Sequence, residues 1–358
     1  MISLADILPA SLAALDVAPD NANFSIPKSK RVVVFLVDGL GLQNLISNQG
    51  IHPIIDDLIQ NCAQSSLPST TPVSLATFGT GMNPGEHGFV GATMFLPETN
   101  SILQPLKWET EPNPKNFQPL ETLFEKAEKK YVEVKRIGPS AYEHSGLTNA
   151  VLRGGEYLFA ENLEDIAQVT SKVLHSSFPS LTYVYYPQLD RVGHVHGVDS
   201  DEWRQELISV LNCIEKIKKE LPRETSLIIT ADHGMMDVDK RVWIEDFSSI
   251  TNNVGWITGE PRFRHFFARE NCLKKLENGL SGISDFAQIL SRDELIESRL
   301  LGEFVDEHKG RVGDFVAIAH DLAALCSRTI DSRVSNLIGQ HGGNTDTERD
   351  IPVAVLAG

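Results

Sequence analysis

Positive charge is in short supply in this chain. Its 32 Lys and Arg face 48 Asp and Glu, a formal net charge of -16 over 358 residues. That deficit excludes a passive electrostatic hold on nucleic acid or on an anionic membrane, so no nucleic-acid-binding module is expected. An anionic small molecule would have to be recruited by cations held locally. Cysteine is sparse too. Cys62, Cys213, Cys272 and Cys326 are scattered without a C-x-x-C pair, which argues against a disulfide framework and for reduced, buried thiols. No apolar run approaches the roughly 18 residues that a membrane span needs. The opening Met1-Ile2-Ser3-Leu4-Ala5-Asp6 lacks the basic start of a secretory signal, so a cytoplasmic protein is expected. Internal repeats and low-complexity segments are absent.

What is present is an alternation of strands and helices. Arg31–Val37 is a nearly unbroken β-branched run, as in a strand buried on both faces of a parallel sheet. Leu181–Tyr186, Ser226–Thr230 and Ile351–Leu356 have the same character, and Tyr131–Ile137 is a weaker, alternating strand. Between them, Ser200–Leu221 places Trp203, Leu207, Val210, Leu211, Ile214 and Ile217 at helical spacing. Leu120–Lys129 and Asn162–Leu174 share the pattern. This alternation predicts a three-layer α/β sandwich with a mainly parallel central sheet. The rhythm breaks over 238–334, which contains short strands at Arg262–Phe267 and Asp314–Ala319 and a charged helix near Ser291–Leu301. We therefore expect a core of 1–237 and 335–358 and a small inserted α+β subdomain, 238–334, that shapes substrate access.

Chemistry-bearing residues sit in five short segments: Val37-Asp38-Gly39, Pro68-Ser69-Thr70-Thr71-Pro72, Asp190-Arg191-Val192-Gly193-His194, Ala231-Asp232-His233-Gly234 and Gln340-His341-Gly342-Gly343. Asp38, Asp190 and Asp232 each come just after a predicted strand, where open α/β sheets gather their ligands. If 190–194 is helical, Asp190 and His194 point the same way. Carboxylate with imidazole is an oxygen and nitrogen set that suits zinc or manganese and not calcium. Thr71 before Pro72 reads as a helix N-cap, where free N–H groups would face a phosphate. Its hydroxyl needs a metal to act as a nucleophile, and Thr70 competes for that role. Together the segments describe two metal sites flanking a hydroxyl nucleophile. His87 reads as a structural hydrogen-bonder and His196 as a rim residue.

These segments, with Thr80-Gly81 through His87-Gly88 and Asp190-x-x-Gly-His-x-x-Gly197, resemble the alkaline phosphatase superfamily, in particular its type I phosphodiesterase/nucleotide pyrophosphatase branch. The resemblance implies one metal on Asp190, His194 and His341 and a second on Asp38, Asp232 and His233, with Thr71 beside it. It implies two divalent cations, zinc first and manganese second, and hydrolysis of a small phosphate ester, such as a nucleotide, through a phosphothreonine intermediate. Ala92 stands about where the phosphodiesterases carry an asparagine, and no arginine lies near Thr71 in sequence. A phosphomonoesterase or phosphonate hydrolase with the same centre is therefore the alternative. A phosphomutase would need a second phosphate surface, for which Arg262, Arg264 and His265 are the compact candidates. The two arginines, two apart on a predicted strand, are also candidates for binding an anionic part of the substrate. Oligomeric state is open.

Overall fold

The computed structural model describes residues 1–19, 23–108 and 110–358. In chain order the strands that build its two main sheets are β1 (Arg31–Val37), β2 (Glu133–Gly138), β3 (Glu156–Phe159), β4 (Ser180–Tyr186), β5 (Thr225–Thr230), β6 (Val254–Glu260), β7 (Phe263–Ala268), β8 (Ala287–Ser291), β9 (Phe315–Ala319) and β10 (Ala354–Ala357). Four helices cover the central sheet or carry site residues: α1 (Thr71–Thr80), α2 (Leu163–Val173), α3 (Gln188–His196) and α4 (Asp201–Lys219).

The central sheet runs β10-β5-β1-β4-β2-β3. All its pairings are parallel except β10 with β5. Tyr183 of β4 packs on Phe78 of α1 and on Phe124, on one face of the sheet. Tyr186, three residues on, donates to Glu206 of α4 on the other face. Helices thus cover both sides, the three-layer α/β sandwich that the alternation predicts. The helix starts reflect their local chemistry: Ser200 caps α4 by accepting from Trp203 N–H, and Asn162 caps α2 by accepting from Asp165 N–H.

Two local expectations need correction. Helix α1 begins at Thr71, so the N-cap is Thr70, and its hydroxyl makes no cap hydrogen bond. The segment 351–356 is not one strand. Asp350–Pro352 pairs antiparallel with Cys62–Gln64, and the chain then changes sheets, because Pro352 has no N–H for a ladder, before β10 joins β5.

Between β5 and β10 the chain forms an antiparallel sheet, β6-β7-β9-β8. Strand β9 explains how that sheet is held. Val316 and Ile318 face the main core, whereas Phe315 and Ala317 face a second cluster with Val242, Ile250, Phe266, Leu276, Leu280 and Leu325. An all-apolar strand results, with each face buried against a different layer. Among the described residues no helix is long and apolar enough to cross a membrane.

Candidate active site

The carboxyl ends of β1, β4 and β5 converge because the three strands are neighbours and parallel. Asp38 leaves β1 directly, Asp190 lies in the first turn of α3 after β4, and Asp232 comes after β5. Gly39 (φ +75) turns the chain away from Asp38, and a Cβ there would lie 3.0 Å from the Cβ of Asp190. Gly193 has a similar role on α3. A Cβ on it would stand 2.4 Å from the sulfur of Met235, so the helix could not pass as close to the Asp232 loop.

His341 arrives from the C-terminal segment, and Ser69 places it. Ser69 N–H donates to Gly342 O at 3.3 Å, its hydroxyl donates to Gly343 O at 2.8 Å, and Gly342 N–H donates back to Ser69 Oγ at 3.2 Å. The loop that carries His341 is therefore stitched to the residue two before Thr71.

All seven sequence-selected residues come together. His194 Nε2 lies 3.3 Å from Asp190 Oδ2, and His341 Nε2 3.6 Å from Asp190 Oδ1. His233 Nε2 lies 3.4 Å from Asp38 Oδ1, 3.5 Å from Asp232 Oδ2 and 3.2 Å from Thr71 Oγ1. The rings of His233 and His341 stack at 3.7 Å. Asp190, His194 and His341 form one cluster able to hold a metal ion, and Asp38, Asp190 and His233 a second. Asp190 is shared between them, a double membership that the sequence did not indicate.

The donor chemistry tests whether cations fit. Each Nδ1 faces a backbone carbonyl: His194 faces Gly339 at 2.7 Å, His341 faces Ser69 at 2.9 Å and His233 faces Gly234 at 3.0 Å. A carbonyl only accepts, so each Nδ1 carries a proton and each ring turns its Nε2 toward a carboxylate. Burial, with His233 and His194 beside it, holds the His341 pKa well below its ordinary value, which keeps that ring neutral. At His341 a lone pair thus faces a lone pair of Asp190. Among the described residues Asp38 Oδ1, Asp190 Oδ1 and Asp232 Oδ2 are buried with no hydrogen-bond donor. Burial and the charges of Asp232 and Asp190 push the Asp38 pKa well above the carboxylate range. Such an arrangement is costly unless positive charge lies among the oxygens, and the residues fit a pair of divalent cations.

Thr71 is 7 % exposed and opens onto a cavity of ≈ 340 Å³ that also touches Asp38, Asp190 and His194. Thr70 is buried away from it. The N-terminus of α1 points its free N–H groups and positive dipole end to the same place.

The family model described as type I phosphodiesterase/nucleotide pyrophosphatase matches residues 32–344. The chain belongs to that family. Among curated relatives it is similar to an uncharacterized pyrophosphatase/phosphodiesterase of Schizosaccharomyces pombe, 26% identical over 214 residues, 54% of this chain and 43% of the relative. It is also similar to ectonucleotide pyrophosphatase/phosphodiesterase 1 of Saccharomyces cerevisiae, 23% identical over 208 residues, 48% of this chain and 28% of the relative. The chain thus matches less than half the length of these relatives. Among solved structures, murine ectonucleotide pyrophosphatase/phosphodiesterase 5 superposes with a TM-score of 0.71 at 17% identity, over 90% of this chain and 87% of that one. An inactive alanine variant of the murine protein in complex with AMP superposes equally well. The human counterpart gives 0.71 at 16% identity, over 91% and 87% of the two chains. At these identities the superpositions establish the phosphodiesterase fold.

Several residues of this phosphodiesterase-family site escaped the sequence. Tyr185 donates its hydroxyl to Asp38 Oδ2. Tyr142, Tyr157, Tyr183, Arg136 and Arg191 line the cavity with it. The alternation in Leu181–Tyr186 signals that Tyr183 and Tyr185 share a face, but nothing local marks Arg136. The inserted arginines have another role. Arg264 lies in β7 and Arg262 just before it, and both are fully buried. Arg262 holds Glu348 at 2.9 and 2.7 Å, and Arg264 holds Asp331 at 2.7 Å. Candidacy for substrate binding is thereby overturned, because their donors are spent inside the protein. His265 donates to Val90 O and accepts from Gly313 N–H, so it is structural as well. His87 links Phe89 N–H to Thr77 Oγ1, a structural hydrogen-bonder as the sequence implied, and His196 is half-exposed beside Glu202.

Proposed function

We propose that the chain is a two-cation phosphodiesterase or nucleotide pyrophosphatase acting on small nucleotide-like esters, with Thr71 as its nucleophile. The observation that carries this reading is the meeting of two carboxylate–imidazole clusters at Thr71 Oγ1, which lies 3.2 Å from His233 Nε2. Asp190, His194 and His341 would hold one ion and Asp38, Asp232 and His233 the other, with Asp190 between them. Zinc is the proposed ion and manganese the substitute, because imidazole is present in both sets. When bound, the ions supply neutralisation of the nucleophile and of the phosphoryl oxygens.

Thr71 Oγ1 attacks phosphorus, a P–O ester bond breaks, and the departing oxygen leaves with its electron pair. The product on the chain is a phosphodiester of Thr71. Water then cleaves the Thr71–phosphorus bond and restores the hydroxyl. Helix α1 holds the phosphoryl oxygens at its N-terminus, and the backbone-anchored imidazoles keep both clusters in register.

The cavity beside Thr71 favours a diester over a monoester, since a second ester substituent has a place to go. The buried state of Arg262, Arg264 and His265 leaves a phosphomutase without its second phosphate surface. A cytoplasmic location is part of the proposal, supported by four free cysteines. Rates on the p-nitrophenyl monoester and the bis-p-nitrophenyl diester test the substrate class. The diester should be turned over faster by at least about ten-fold; a faster monoester would replace this reading with a phosphomonoesterase.

A further inference from the structure

The sheet register places Arg136 at depth in the cavity. Arg136 pairs with Tyr183, and Tyr183 pairs with Val34, four residues before Asp38. Two strand spacings across and four residues down put its Cα about 16 Å from that of Asp38. Leu75, Leu147, Leu152 and Tyr183 line the cavity along the way. The wall between the cation clusters and Arg136 is therefore mostly apolar.

At its inner end the guanidinium is under-used. Of five N–H groups, one on Nη1 donates to Leu152 O at 2.9 Å and one on Nη2 to Gly155 O at 3.3 Å. Nε–H is buried without an acceptor. Tyr157 lies under the guanidinium at 5.4 Å, and Glu128 and Glu143 act on it only from a distance. No carboxylate pairs with Arg136 among the described residues, whereas the buried Arg262 and Arg264 each hold one. A half-buried cation that lines the cavity, with an N–H to spare on each of Nη1 and Nη2 and no carboxylate partner, calls for an anion.

We propose that Arg136 determines specificity in this cavity by taking a carboxylate at the far end of an apolar ester substituent whose phosphoryl group lies at Thr71. The inference rests on the phosphodiesterase reading and narrows its substrate: one ester arm is an apolar or aromatic body that ends in a carboxylate. Arg191, the other cavity arginine, is at the exposed mouth and donates to Tyr142 Oη, so it is the competing anchor.

The test uses two diesters with the same leaving group, p-nitrophenyl phenyl phosphate and p-nitrophenyl p-carboxyphenyl phosphate, on zinc-loaded full-length protein. The carboxylated diester should be favoured in kcat/KM by about ten-fold or more, mainly through KM. Arg136→Gln should bring that ratio to about one, Arg136→Lys should keep part of it, and Arg191→Gln should retain it. Equal kcat/KM for the two diesters in the wild type overturns this inference alone. So does a ratio that survives Arg136→Gln or disappears in Arg191→Gln. Turnover of neither diester overturns the phosphodiesterase reading, and this inference with it. The wild-type ratio decides the matter even if Arg136→Gln fails to fold.

Discussion

Thr71 and Thr70 are adjacent and both buried, yet only Thr71 reaches His233 and the cavity. Thr71→Ala should therefore lower kcat by about three orders of magnitude or more with both metals still bound, because the covalent route is lost. Thr71→Ser should retain measurable turnover, and Thr70→Ala should cost little; steady-state rates with elemental analysis check all three. A different residue governs the pH dependence of stability. Burial lifts the Glu260 pKa to about 8, with Oε2 accepting from Ala92 N–H and Oε1 unpartnered. The folded state holds this proton more tightly than the unfolded chain does. The resulting stability is complete below the unfolded pKa and is lost as pH rises toward about 8. Glu260→Gln mimics the protonated form, so its margin over the wild type should vanish below about pH 4.5 and should grow by on the order of 3 kcal/mol between about pH 6 and about pH 9. Urea midpoints at the two pH values measure this. Site residues were legible where chemistry needs a glycine beside a ligand, as at Asp38-Gly39 or His341-Gly342. Arg136 was not legible, since its place depends on pairing across two strands.

The inserted sheet shows why whole elements escape a sequence. Strand β6 contains Gly255 and Gly259 and a register shift between Val254 and Trp256, so no clean alternation marks it. Strand β8 is short and was not legible; only the charged helix that follows it, near Ser291–Leu301, was. The parallel strands were easier to see, because burial on both faces leaves an unbroken apolar run. Arg262 and Arg264 were candidates for substrate binding, with ion pairs in this acidic protein as the alternative, and the ion pairs are what the structure contains: period-2 spacing identifies neighbours but not what lies opposite. Arg262 ties β7 to Glu348, which also accepts Gly343 N–H two residues from His341. Glu348→Ala should destabilise the fold by about 3–5 kcal/mol, because a buried guanidinium is left unpaired. Guanidinium chloride unfolding would show this as a lower midpoint. A loss of turnover with unchanged stability would instead place the pair in the chemistry.

Across the whole molecule, acidity and metal dependence belong together. A chain of net charge -16 with three buried, donor-free carboxylate oxygens at one point needs cations there to hold an anionic ester. The family match covers most of the chain, yet the curated relatives extend well beyond what it matches. The chemistry therefore rests on the site itself. Bound cations should also stabilise the fold by mass action, so Tm should rise on adding Zn²⁺ to stripped protein. The central claim, two cations working on Thr71, meets its most direct test in diester turnover as a function of measured metal content. Protein stripped with dipicolinate should show no turnover of bis-p-nitrophenyl phosphate and should regain it as about two equivalents of Zn²⁺ or Mn²⁺ are added, with Ca²⁺ ineffective. Full turnover by protein shown to be metal-free by elemental analysis would contradict the account.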